Sequence, residues 1–249
     1  MQNHRVVSRD QWLIARKALL LREKEATHLR DRINIERLAL PWVKVEKQYT
    51  FETPQGQESL ADLFAGRSQL VVYHFMLGPG WKAGCPGCSF IGDHLDGTLP
   101  HLNHHDVTLT AISRAPLKEI TAYKERMEWR FPWASSNGTD FNYDYHVSFT
   151  PEELASGSVD YNFTETPAMS GVENTELHGL SSFYKDESGQ IFHTYSSYAR
   201  GHEELIGTLM ILDRATLGRN EKSTMDFVRR HDEYEDAPKA HACCAAATA

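Results

Sequence analysis

The sequence predicts an α/β protein, a three-layer sandwich with helices on both faces of a sheet. Three observations point there. The apolar runs 70–77 and 107–113 have strand length and are rich in β-branched and aromatic residues. Each leads into a helix-start signal, Cys85-Pro86-Gly87-Cys88 after the first and Pro116 after the second. Later, the runs 181–185 and 191–195 flank the turn Asp186-Glu187-Ser188-Gly189 and read as a β-hairpin, followed by a closing helix over 203–212. Strands that alternate with helices pack as layers.

The elements follow in chain order. Ser8-Arg9-Asp10-Gln11 fits a capping box, with Ser8 as N-cap and Gln11 at the third helical position. From Trp12 to about Leu38, Trp12, Ala15, Leu19, Ala26, Leu29 and Ile33 recur at helical spacing, and Pro41 ends the run. This long amphipathic helix reads either as a packed arm or as a homodimer contact, since it outruns what one core needs. Residues 42–51 alternate with period two and read as a strand, Pro54-Gln55-Gly56 as a turn, and 59–64 as a short helix closed by Gly66. A helix is expected from Cys85 to about His94, and another from Pro116, at its first position, through about Met127. Residues 131–136 read as a short strand entering a polar loop. The stretch 137–178 is rich in Ser, Thr, Asn, Asp and Glu without clear periodicity and reads as a long inserted loop. Residues 225–234, charged and aromatic, read as a docked terminal piece. The expected division is a helical arm over 1–40, an α/β domain over 41–215 with an insertion at about 137–178, and an extension over 216–249 with a disordered end.

The chemistry points to Cys85-Pro86-Gly87-Cys88. A cysteine at a helix start meets the helix dipole and unpaired backbone N–H groups, and both favour the thiolate. The thiolate attacks disulfides, and a second thiol three residues on closes the ring and releases product. Cys85 is thus the expected nucleophile and Cys88 the resolving thiol. Pro86 lacks an N–H and stiffens the loop, and Gly87 leaves room beside the sulfurs. Lys82 is a candidate source of positive charge. Trp81 reads as a flat shield over the pair or as a core aromatic. Arg114, after the second strand, and Arg200, after the hairpin, each read as an anion or thiolate partner or as a surface ion pair.

Composition sets limits. The 249 residues are 41% hydrophobic and carry a formal charge of −8, which argues against a broad nucleic-acid surface. No run suits a membrane span, and residues 1–22 lack the apolar region of a secretory signal, so a cytoplasmic, reducing setting is expected. There a C-x-x-C pair signals catalysis or metal more than a structural staple. No glycine-rich dinucleotide fingerprint is present, so no cofactor is expected and electrons should come from an external thiol donor. His101, His104 and His105 have a spacing that suits one helix face, but Asn103 and Asp106 beside them suggest a solvated turn, and no metal is assigned. His74 reads as a satisfied core residue. Phe141, Tyr143, Tyr145 and Phe149 wall a pocket or pack the loop. Cys243 and Cys244 sit among small residues near the end and read as a mobile tail, or as a metal or relay tail.

The strings Gly78-Pro79-Gly80-Trp81-Lys82-Ala83-Gly84-Cys85-Pro86-Gly87-Cys88, Ser113-Arg114-Ala115-Pro116, Phe131-Pro132-Trp133-Ala134-Ser135-Ser136 and Arg229-Arg230-His231-Asp232-Glu233-Tyr234 resemble a bacterial family of unknown function. That family is described as thioredoxin-like and as a predicted dithiol–disulfide oxidoreductase. The resemblance covers nearly the whole chain. It implies a thioredoxin-like fold and a thiol or disulfide substrate that it does not name. The outline is also similar to peroxiredoxins, but Pro79 lies six before Cys85, and Lys82 stands where their loop places a threonine. Thiol-dependent peroxide reduction is therefore the runner-up. Thioredoxins also place a proline just before the hairpin, where this chain has His178-Gly179-Leu180-Ser181; Pro167 fills that place only if the insertion folds back. A third reading is a non-catalytic thioredoxin-fold module holding a soft metal ion or a partner.

Overall fold

The computed structural model describes residues 4–168 and 175–235. The chain divides into two units, Met1–Trp42 and Val43–Ala249. The first is α1 (Arg9–Leu38), whose capping box forms as expected: the Gln11 N–H donates to Ser8 Oγ at 3.3 Å, and the Ser8 N–H donates to Gln11 Oε1 at 3.2 Å. Its apolar residues do not gather on one face. Ile14, Leu21 and Ile35 are exposed, and no residue of α1 is buried.

The second unit is a thioredoxin-like α/β sandwich. Its elements are β1 (Val43–Lys44), β2 (Thr50–Thr53), β3 (Gly56–Ser59), β4 (Gln69–His74), α2 (Pro86–Gly92), α3 (Leu99–His104), β5 (Val107–Ser113), α4 (Leu117–Arg126), β6 (Trp133–Ser135), α5 (Phe141–Asp144), α6 (Pro151–Ala155), β7 (Ser158–Tyr161), β8 (Thr164–Pro167), β9 (Gly179–Lys185), β10 (Ile191–Tyr198) and α7 (Gly207–Leu212). Eight strands form one sheet in the order β1-β10-β9-β4-β5-β6-β2-β3. β4, β5 and β6 run parallel, and the β9–β10 hairpin packs with β9 antiparallel to β4.

Alternation along β4 and the extended residues after it explains the layers. Tyr73, Phe75 and Leu77 point into one core with Ile91, Ile120 and Leu209 from the helices. Leu70 and Val72 point into the other, with Leu63, Phe64 and Phe141. Both faces are covered, so the strand reads as a nearly continuous apolar run. His74 lies in this second layer, stacked on Phe141 and Tyr145. Its Nε2 meets Ser181 Oγ at 2.8 Å, but its Nδ1 has no partner among the described residues, so it is only half satisfied.

Several expectations are corrected. The single strand over 42–51 is two strands on opposite sides of the sheet: β1 forms one edge and pairs with β10, and β2, next to the other edge, pairs with β6 and β3. Period two persists through the crossing and hides it. The helix over 59–64 is only a 3-10 turn at Asp62–Phe64, because the Asp62 carboxylate accepts from Ser59 and the backbone reverses at Ala65 and Gly66 with φ of 50° and 82°. Pro116 is extended and caps α4 instead of opening it. The loop over 137–178 holds α5, α6 and the two-stranded β7–β8 sheet. Its aromatics pack: Phe141 and Tyr145 join the second core, and Phe149 joins a third with Val159 and Tyr161. The closing helix over 203–212 is 3-10 turns over Ala199–Leu205 followed by α7. Residues 225–234 form no long element, yet they dock: Val228 is buried in the first core with Cys88.

Candidate active site

Cys85 stands at the N-terminus of α2, in the loop that follows β4. Three constraints fix it. The Cys85 N–H donates to the Met76 carbonyl at 3.1 Å, which ties the loop to the strand extension. The Cys85 carbonyl accepts from the Ser89 N–H at 2.9 Å and from Ser89 Oγ at 2.8 Å, closing the first helical turn. Gly84 has no room for a side chain, because a Cβ there would lie 2.5 Å from Phe75 and 2.7 Å from Tyr123. Cys85 is itself extended, with φ −53° and ψ 134°, and Pro86 supplies a first helical residue that needs no N–H partner.

The two thiols are free and differ sharply. Cys85 is half-buried and Cys88 buried. The Cys88 thiol, turned toward the Cys85 sulfur, draws the Cys85 pKa down to about 6. Burial opposes this, and the N–H groups of Cys88 and Gly87 and the charge of Arg230 add to it. Cys88 moves the other way, held well above its ordinary value by burial and by the adjacent Cys85. The pair therefore carries its negative charge on the accessible sulfur and its proton on the enclosed one. The Met76 N–H reaches Cys88 Sγ at 3.5 Å. The Tyr73 hydroxyl stands beside that sulfur and, with the Met76 N–H, works against the rise of its pKa, and it meets no hydrogen-bond partner among the described residues.

The remaining candidates separate. Pro86 and Gly87 lie at the pair as expected, and a Gly87 Cβ would sit 3.8 Å from Cys85 Sγ, an ordinary contact. Room for the sulfurs therefore does not depend on glycine there. Lys82 is exposed, and the positive charge that acts on Cys85 belongs to Arg230 instead. Trp81 lies over Gly78, where a Cβ would be 2.9 Å from its Nε1, and it is outside the cavity at the cysteines. Arg114 is engaged elsewhere: it pairs with the buried Glu176 through Nε at 2.7 Å and lies over the Tyr143 ring at 4.8 Å. Ser148 Oγ donates to the second Glu176 oxygen at 2.6 Å, so this cluster fastens the insertion to the end of β5. Arg200 lies on the cavity rim, exposed and paired with Glu203 at 2.7 Å. Pro167 ends β8 opposite Ser158, and His178, not a proline, lines the cavity beside the pair. Cys243 and Cys244 lie outside the described residues.

Sequence reasoning missed Arg230, Tyr73 and His202. Arg230 donates to the Gly84 carbonyl through Nε at 2.9 Å and Nη2 at 2.6 Å, so the docked C-terminal segment closes on the loop that holds Cys85. Tyr73 reads in sequence as one more strand aromatic. Its position two residues before Phe75, on the face that bears the cysteines, was the available signal. His202 sits in the 3-10 turns, buried, held neutral by burial with a pKa of about 4.

No curated protein sequence matches this chain. Among solved structures, it is similar to the peroxidoxin BcpB from Mycobacterium tuberculosis, with 12% identity and a TM-score of 0.42 over 69% of this chain and 97% of that one. It is also similar to a peroxiredoxin Q from Xanthomonas campestris, with 14% identity and a TM-score of 0.42 over 66% of this chain and 89% of that one. A family model described as "Bacterial protein of unknown function (DUF899)" matches residues 1–234, and the chain belongs to that family.

Proposed function

We propose that the protein is a thiol–disulfide oxidoreductase that works through Cys85 and Cys88. The observation that carries this reading is the opposed ionisation of two neighbouring thiols, one accessible and acidic, the other enclosed and protonated. At neutral pH the Cys85 thiolate attacks one sulfur of a substrate disulfide. A mixed disulfide forms and the other substrate sulfur leaves as a thiolate. The negative charge on Cys85 is then gone, and with it one cause of the raised Cys88 pKa, leaving burial. Cys88 gives up its proton, with the Met76 N–H facing its sulfur. It attacks Cys85, expels the second substrate thiol and closes a Cys85–Cys88 disulfide. The substrate gains the two electrons that the pair loses, and an external thiol donor restores the dithiol.

The test is turnover of a disulfide with dithiothreitol as donor. Cys85→Ser is expected to abolish it. Cys88→Ser is expected to stall as a mixed disulfide on Cys85, seen as an added mass on that peptide. Undiminished turnover by Cys85→Ser contradicts the assignment.

A further inference from the structure

A cavity of about 560 Å³ opens beside the cysteine pair. Most of its wall is apolar, including Met76, Ile91, Leu177, Ile206 and Val228. That volume falls in the range of small-molecule sites. Two residues of the lining, Tyr73 and His202, carry buried polar atoms, Oη and Nε2, that have no partner among the described residues. Tyr73 is fully enclosed and His202 is 5% exposed. Their rings meet edge to face with centroids 6.0 Å apart, so the two residues are neighbours in the lining. A buried polar group left unpaired is costly. Two of them at the same apolar cavity call for a partner from outside the fold.

The wall is also short of net charge. Burial keeps His202 and His178 neutral. Arg200 and Glu203 at the rim pair with each other. Met225 reaches the same lining from the docked segment, with its methyl 3.5 Å from where a Gly87 Cβ would stand, so the cavity is bounded on that side by the C-terminal piece.

We propose that the cavity binds a small, uncharged, largely apolar disulfide, with a polar group held by Tyr73 and His202 and its S–S bond presented to Cys85. This rests on the dithiol reading and narrows its substrate from disulfides in general to low-molecular-weight ones. The suitable probe is 4,4′-dithiodipyridine, an uncharged aromatic disulfide at neutral pH whose ring nitrogens accept hydrogen bonds. Cys85 attack releases one thiopyridone, and ring closure by Cys88 releases the second. The probe gains two electrons and two protons, and the pair becomes a disulfide.

The experiment mixes this probe with the reduced full chain carrying Cys243→Ser and Cys244→Ser and follows thiopyridone absorbance. The rate is expected to saturate with probe concentration. Tyr73→Phe should raise the half-saturating concentration about tenfold, the scale of one lost hydrogen bond. Its thermal midpoint should not fall, since the hydroxyl has no partner to lose among the described residues. His202→Phe should shift half-saturation in the same direction. A rate proportional to concentration throughout, or half-saturation unchanged in both variants, overturns the cavity proposal. Release of one thiopyridone per chain in place of two overturns the dithiol cycle while leaving the saturation result to stand for the cavity.

Discussion

Cys85 and Cys88 have the same side chain and lie within one helical turn, yet the Cys88 thiol facing Cys85, the burial of Cys88, two backbone N–H groups and one guanidinium give them opposite protonation. Arg230 contributes charge to Cys85 and also fastens Gly84. Arg230→Gln is therefore expected to raise the Cys85 pKa and slow its alkylation at pH 6 about twofold, as a shift of a few tenths of a pH unit implies. An unchanged rate in a folded variant would show that the charge does not reach the sulfur. The charge lies 145 positions downstream of Cys85 (230 minus 85), so local sequence offered no reason to prefer it over Lys82.

At the scale of elements, the loop before α2 is held by close approach as well as by hydrogen bonds. Gly84 lies against Phe75 and Tyr123, two rings that also pack on Trp129 and Trp133. Gly84→Ala should lower stability by about 1–3 kcal/mol through overpacking, read from the urea midpoint at constant m-value. No loss would mean that the rings yield. The parallel strands and α2 were legible because each carries its own signal: a β-branched apolar run for β4 and β5, and proline after the N-cap for α2. The insertion was legible only in part. Thr150-Pro151-Glu152-Glu153 is a capping box, formed here with Thr150 Oγ accepting from the Glu153 N–H at 3.2 Å, and its signature is easily passed over in a polar stretch. The parting of β1 from β2 could not be read at all, because alternation reports which face is buried and not which neighbour is paired.

For the whole molecule, the buried histidines set the response to acid. His74 and His202 are lowered from 6.5 to about 3 and about 4 by burial, and His178 and His193 are lowered by the same cause. A depressed pKa means that the folded state binds fewer protons than the unfolded chain. The stability from these groups is present above pH 6.5 and is lost as pH falls toward 4 and 3. Cys85, lowered from 9.0 to about 6, adds stability that is complete above pH 9 and lost on the way down to 6. Cys88 has the opposite sign and loses its contribution as pH rises past 9. The urea midpoint should therefore fall continuously from pH 9 to pH 4, and Cys85→Ser should remove the part of that slope between 9 and 6. A flat midpoint from about pH 7 to pH 4 would show that these histidines are not held neutral.

All of the chemistry depends on Cys85 being ionised while Cys88 is not. The most direct test is the pH dependence of iodoacetamide alkylation in the reduced full chain, followed on the Cys85 and Cys88 peptides by mass. The account predicts a half-maximal rate at Cys85 near pH 6, with Cys88 unmodified in the same interval. A half-maximal rate near pH 9, or equal alkylation of both cysteines, would contradict it.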